Sequence, residues 1–244
     1  MTRLYVPGEL VPGRAYALPP QQAHHATRVL RLKAGDAVTL FNGDGAEYDA
    51  VVARVAGNAV TVKVGDARDG ARESPLEIVL GQALSSGERM DYTVQKAVEL
   101  GVAAIHPLAA ARSVVRLAGE RAAKRVAHWQ AVAISACEQS GRNRVPPVAP
   151  VAELAAWLAR PAAGGAGALR LLLSPAGATG LRDLPRPAAS IVLLAGPEGG
   201  FTPEEEAVAR HCRFTPVRLG PRVLRTETAA VAALAALQAL WGDF

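Results

Sequence analysis

Two stretches of the chain combine glycine with charged side chains at the point where a strand gives way to a helix. In LLAGPEGGFTPEEE, residues Gly196, Pro197, Glu198, Gly199 and Gly200 separate an apolar run from a helix that Thr202 caps. In VRLGPRVLRTETAA, Leu219, Gly220 and Pro221 end a second strand, and Arg222, Val223, Leu224 and Arg225 cross to a helix capped by Thr226. Loops of this kind leave backbone N–H and C=O groups open to a ligand at the carboxyl end of a strand. A tight turn demands glycine just as well, and residues 196–200 taken alone do not separate the two readings. If the loop binds a ligand, a branched side chain at Gly199 is expected to occupy space meant for ligand or backbone.

Other chemistries find no support. No GxxxxGK[ST] cradles a triphosphate, no GxGxxG follows a strand, and no GxSxG presents a nucleophilic serine. The histidines (His24, His25, His106, His128, His211) and the cysteines (Cys137, Cys212) show neither CxxC nor HExxH spacing, so no metal is expected. His211-Cys212 reads as packing near a helix end, and His128 as a surface residue. A third polar cluster, EQSGRNR, carries Glu138, Arg142, Asn143 and Arg144 without helical regularity.

The elements that must hold these groups fall into two rhythms. Residues 1–72 alternate with period two, as in AVTVKVGD, where Val60, Val62 and Val64 face one way. Asp44-Gly45 and Gly57-Asn58 are turn pairs, and many short strands in so few residues suggest a small barrel. Within this half QQAHHATRVLRLK reads as a short helix, with Ala26, Val29 and Leu30 packing inward. His24, Arg28 and Arg31 then form a basic stripe at i, i+4 and i+7, either an RNA-facing edge or a soluble face. From residue 73 strands alternate with helices, which implies a parallel sheet covered on both faces. Strands are expected at 76–84, 103–107, 169–175, 190–196 and 215–220. Helices are expected from a Ser85–Glu88 capping box to Gly101, at 119–140, at 151–160, from Thr202, and at 226–241. PAAGGAGA, 161–168, reads as a flexible connector. The last helix is apolar on nearly every face and must be buried on several sides.

The 244 residues are 50% hydrophobic and 20% charged, enough for one large or two modest domains. The N-terminus lacks an apolar signal segment and two cysteines give no disulfide framework, so the chain reads as cytoplasmic. Of 27 basic residues only four are lysine, and the net charge is +5. Residues 110–144 hold Arg112, Arg116, Arg121, Lys124, Arg125, Arg142 and Arg144 against Glu120 and Glu138, a surplus equal to the whole net charge. Such a segment suits a phosphate backbone, and it equally suits a solvated helix face.

The two glycine loops, together with RVLRLKAGD, RESPLEIVLGQAL, QKAVELGV and ACEQSGRNRVP in that order along the chain, resemble the RsmE family of SPOUT-class methyltransferases, which methylate N3 of a uridine in 16S ribosomal RNA. The resemblance covers nearly the whole chain. It implies a PUA-like RNA-binding β-barrel over residues 1–72 and an α/β methyltransferase domain over 73–244, whose chain passes through itself in a trefoil knot. It implies an S-adenosyl-L-methionine site built by Leu173 and Ser174, by Gly196 to Gly200, and by Leu219, Gly220, Val223, Leu224, Arg225 and Thr228. A homodimer with active sites at the subunit interface follows from the same resemblance. Uridine N3 must lose a proton before it attacks, and the charge spreads onto O2 and O4. Arg225 and Arg142-Asn143 are candidates to meet that charge, and Glu138 to accept the proton or orient an arginine. RNA contacts are expected from His24, Arg28, Arg31, Arg112, Arg142 and Arg144, on the small ribosomal subunit. Rival readings are a ribose 2′-O methyltransferase of the same knotted class and a non-catalytic assembly factor that binds ribosomal RNA.

Overall fold

A computed structural model describes residues 2–70, 72–160, 165 and 167–244; most of the connector at 161–168 lies outside these described residues. The chain divides into two compact units, Met1–Glu73 with Cys137–Val145, and Ser74–Ala136 with Pro146–Phe244. The first unit is therefore discontinuous in sequence.

In the first unit, strands β1 (Thr2–Tyr5), β2 (Ala15–Ala17), β3 (Ala37–Phe41), β4 (Ala46–Ala56) and β5 (Ala59–Asp69) form one sheet in the order β1-β3-β4-β5-β2. Only the β1–β3 pair is parallel. The alternation read from the sequence holds: Val60, Val62 and Val64 are buried while Lys63 is exposed. Ala56 pairs with Ala59 across Gly57-Asn58, where Gly57 takes φ +60°, a conformation that suits glycine in a two-residue hairpin.

The helix expected over residues 21–33 is broken in two. Helix α1 (Pro20–His24) passes into a π-helical turn, His25–Val29, closed by Leu30 N–H donating to the His25 carbonyl at 3.0 Å. The wider turn rotates the side chains that follow, so the inward positions are Gln22, Ala23 and Ala26. Val29 is 62% exposed and Leu30 36%, contrary to the inward packing expected of them; Leu32 packs on the core instead. Arg31 has left the helix with φ +55°. His24, Arg28 and Arg31 are all exposed, although helical spacing no longer aligns them.

The second unit contains β6 (Glu77–Ala83), α2 (Gly87–Glu99), β7 (Ala104–Ala109), most of α3 (Gly119–Ser140), β8 (Ala152–Glu153), α4 (Leu154–Leu158), β9 (Leu169–Leu173), β10 (Thr179–Gly180), β11 (Ser190–Ala195), α5 (Pro203–His211), β12 (Thr215–Arg218) and α6 (Thr226–Trp241). Its seven-stranded sheet runs β10-β12-β9-β11-β6-β7-β8 with every pair parallel. Strand β11 is buried at every position. Val192 and Leu194 join a cluster with Trp157 of α4, Ala209 of α5 and Phe214, while the pleat turns Ile191 and Leu193 to the other face, on which α6 packs. Each such buried leucine or isoleucine contributes about 1.5–3 kcal/mol by leaving water. Where a helix was expected over 151–160, Ala152 and Glu153 first pair with Leu108 and Ala109 as an edge strand, which leaves only α4 helical. Helix α2 ends as its glycine predicted: Gly101, at φ +80°, donates to the Val98 carbonyl, and Val102 donates to Ala97.

Candidate cofactor site

A wholly parallel sheet sends the carboxyl ends of all its strands to one edge. Strands β12, β9, β11 and β6 are neighbours, so the segments that leave them open side by side. They enclose a cavity of about 540 Å³ lined by Leu173, Ser174 and Pro175 after β9, by Ala195 to Gly200 after β11, by Leu219, Gly220 and Arg222 to Glu227 after β12, and by Arg89 of α2. That volume suits a cofactor or small ligand.

The loop after β11 is held from several sides. Thr202 caps α5 as its sequence predicted: its hydroxyl accepts from Glu205 N–H at 3.2 Å, and Glu205 Oε2 accepts from Thr202 N–H at 2.9 Å. The hydroxyl of Thr226 donates to the Gly196 carbonyl and accepts from Gln82 Nε2 at 3.1 Å. Arg112 is exposed, but its guanidinium donates to the carbonyls of Gly199 at 3.1 Å and Phe201 at 3.2 Å, so it braces the loop. A Cβ built on Gly199 would meet the Arg112 side chain at 3.2 Å. A branched residue at Gly199, which lines the cavity, therefore also presses on Arg112.

Glu198 replaces the capping box expected at Ser85–Glu88. Ser86 is the N-cap of α2 and makes no side-chain cap. Its N–H and its hydroxyl instead donate to Glu198 Oε1, at 2.9 and 3.1 Å, and Arg89 donates to the same oxygen at 3.0 Å. A carboxylate from a distant loop thus supplies the negative charge that a helix start favours. Burial works against that charge, but the hydrogen bonds from Ser86 and Arg89 outweigh it and hold the Glu198 carboxyl below the usual range. The second oxygens of Glu198 and of Glu227 are buried with no hydrogen-bond partner.

A depressed carboxyl contributes stability above its unfolded value, about pH 4.3, and that contribution disappears as pH falls through the folded value. Thermal melting of wild type against Glu198→Gln is accordingly expected to show a gap at pH 6 that closes as pH falls below the ordinary carboxylate range. A gap of constant size would mean that the carboxylate charge is not what matters.

The segment after β12 differs from the others. Among the described residues, 219–224 neither donates nor accepts a backbone hydrogen bond. Gly220, at φ +93°, has nothing within 4 Å of a built Cβ. Arg225, the N-cap of α6, is exposed. Thr228, expected at the site, is exposed on α6 and does not line the cavity; Thr226, two residues earlier, does. Ser174 is 3% exposed, and its hydroxyl donates to Glu206 Oε1 at 3.0 Å, tying the loop after β9 to α5.

Glu138, Arg142, Asn143 and Arg144 belong to the first unit. Arg142 is 5% exposed, and its Nε and a terminal nitrogen donate to Glu73 Oε2 at 3.0 and 2.7 Å. Glu73 Oε1 accepts from the N–H groups of Asn143 and Arg144, both at 3.0 Å. Asn143 is fully buried; its Nδ2 donates to the Gly45 carbonyl at 3.3 Å and its Oδ1 accepts from Arg3. Glu138 Oε1 accepts from Tyr5 N–H at 3.0 Å, and burial pushes its carboxyl above the usual range. Burial also pushes the Cys137 thiol up to about 12, which leaves it unreactive. Arg144 stays exposed.

Known proteins resemble the chain over both units. Residues 72–238 match a family described as an RNA methyltransferase domain, and residues 18–65 one described as an RNA methyltransferase PUA domain. The ribosomal RNA small subunit methyltransferase E of Buchnera aphidicola subsp. Acyrthosiphon pisum is 32% identical over 242 residues, 99% of this chain and 94% of that protein. The Bacillus subtilis protein of the same name is 31% identical over 91% of this chain and 89% of its own length. Among solved structures, a ribosomal RNA small subunit methyltransferase E from Neisseria gonorrhoeae, bound to S-adenosyl methionine, is 43% identical with a TM-score of 0.92, covering 100% of this chain and 99% of that one. A Legionella pneumophila protein solved in complex with its bound cofactor SAM is likewise 43% identical, with a TM-score of 0.95 and the same coverage.

Proposed function

Because the chain belongs to the ribosomal RNA small subunit methyltransferase E family, we propose that it transfers a methyl group from S-adenosyl-L-methionine to N3 of a uridine in 16S ribosomal RNA. The observation that carries the reading is the 219–224 segment: backbone groups with no backbone partner among the described residues form one wall of a cofactor-sized cavity at the ends of parallel strands. A peptide loop can match the hydrogen-bonding edge of an adenine with N–H and C=O groups alone. The residues present fit the cofactor: Leu173 and Leu219 offer apolar wall, Gly196, Gly200 and Gly220 allow close approach, and Glu198 and Glu227 place negative charge beside a cationic ligand.

When bound, S-adenosyl-L-methionine supplies an electrophilic methyl group that needs no further activation. The protein's part is to hold the uracil in line with it. Arg225, exposed at the cavity's lip, meets the charge that deprotonation of N3 places on the uracil oxygens. Arg142, Asn143 and Glu138 act differently in this reading, by building the first unit around the 137–145 segment. RNA capture falls to His24, Arg28, Arg31 and Arg144, all exposed in that unit. The trefoil knot, a homodimer and a cytoplasmic location complete the proposal. The small residues Ala232, Ala235, Ala236 and Ala239 along α6 suit close approach of a second copy, and light scattering at micromolar concentration should give the dimer mass. No helix among the described residues is long and apolar enough to cross a membrane.

The test is incubation of unmodified small ribosomal subunits with the protein and labelled cofactor, then digestion to nucleosides. Label in 3-methyluridine supports the reading. Label in a 2′-O-methylated nucleoside, or no transfer at all, refutes it.

A further inference from the structure

The segment Leu219–Arg225 presents two unlike faces. Its backbone lines the cavity and, from 219 to 224, finds no backbone hydrogen-bond partner among the described residues; only the Arg225 carbonyl is engaged, accepting from Ala229 N–H at 2.8 Å as α6 begins. Its side chains at Arg222, Val223 and Arg225 stand in solvent, with Val223 80% exposed, among the highest values for a large apolar residue in the chain. No carboxylate lies within 4.0 Å of Arg222 or Arg225 among the described residues, whereas six of the unit's twelve other arginines have an acidic or carbonyl partner. An exposed valine thus sits between two guanidinium groups that have no carboxylate partner among the described residues. It suits a ligand that offers phosphate oxygens and the flat apolar face of a base.

We propose that this loop is a two-sided reader: its backbone binds the cofactor while Arg222 and Val223 bind the RNA beside the target uridine, so that cofactor occupancy raises RNA affinity. The inference rests on the methyltransferase reading above. Without a ligand, no backbone hydrogen bond fixes the loop. A cofactor that supplies those bonds fixes it, and the side chains on its outer face then meet the RNA already ordered. Coupling of this kind is reciprocal: RNA must tighten cofactor binding by the same factor.

The experiment measures binding of unmodified small ribosomal subunits with and without saturating S-adenosylhomocysteine, which cannot react. Wild type is expected to bind roughly five- to tenfold more tightly with the nucleoside present, within the usual range of coupling. A double variant, Arg222→Ala with Val223→Ala, should bind subunits more weakly and lose most of the coupling, the coupling being taken relative to the variant's own affinity for S-adenosylhomocysteine alone. Wild-type affinity that ignores the nucleoside overturns the proposal. So does a double variant that keeps full coupling, because the nucleoside would then act by touching the RNA directly. Failure of wild type to bind S-adenosylhomocysteine at all would strike the cofactor assignment itself, a different result from either.

Discussion

Arg142→Ala is expected to melt the first unit at far lower temperature than wild type, whatever it does to catalysis. Arg142 is almost fully covered and its guanidinium forks onto Glu73, whose side chain is 22% exposed. The same carboxylate receives the N–H groups of Asn143 and Arg144. Removing the cation leaves a largely buried carboxylate without its main partner, a change that typically costs about 3–5 kcal/mol. Urea or thermal denaturation followed by a probe in the first unit measures the loss. The companion variant Arg142→Gln with Glu73→Gln removes both charges yet keeps an acceptor oxygen for the N–H groups of Asn143 and Arg144, and should recover much of the stability, because no charge is then left unpaired. A variant Arg142→Ala that melts like wild type but methylates slowly would return this residue to the chemistry.

The contrast exposes what a linear reading of EQSGRNR could capture. Its residue types, two arginines, an asparagine and a glutamate outside any helical pattern, suit a catalytic loop and a buried polar network equally. The deciding facts lie far away in sequence: Glu73, Gly45, Tyr5 and Arg3 supply the partners. Periodicity found the limits of α3 and α6, the alternation in β5 and the parallel β/α order, because those depend on side-chain spacing within one element. It misread Val29 and Leu30, because a π-helical turn changes the spacing itself and leaves no mark in the hydrophobic pattern.

At the cofactor site the glycine loops were legible, since glycine and capping residues fix where a strand stops and a helix begins. The residues that brace those loops were not. Gln82 sits within a buried strand, Arg89 on an amphipathic helix and Ser86 at a helix start. Each reads as ordinary for its element. Only the parallel register, which sets Gln82 opposite Ala195 and so next to Gly196, gives it a role. Thr226 and Thr228 are equivalent by type in RTET. Their difference is rotational, with one turned to the cavity and the other to solvent, and it depends on how α6 seats on β11.

Thr226→Val is expected to lower affinity for S-adenosyl-L-methionine by roughly five- to a hundredfold while the second unit stays folded, since a lost buried partner costs about 1–3 kcal/mol. Valine keeps the branched shape of threonine but has no hydroxyl. The Gly196 carbonyl then loses its donor and retains only Gln82 Nε2, at 3.5 Å, too far to replace it. Gln82 is fully buried and its Oε1 already has no hydrogen-bond partner, so its amide has little freedom to turn and compensate. The cheapest relief is for the Gly196 peptide to rotate toward the cavity, where its carbonyl can find water. That rotation displaces the 196–200 loop, which a bound cofactor must lie against. Thr226→Ser separates this cause from packing, because serine keeps the hydroxyl and loses only the methyl group. Calorimetric titration should show near wild-type binding for serine and a large loss for valine. Equal losses in the two variants would place the effect in the methyl group's packing and leave the Gly196 hydrogen bond without the role assigned to it.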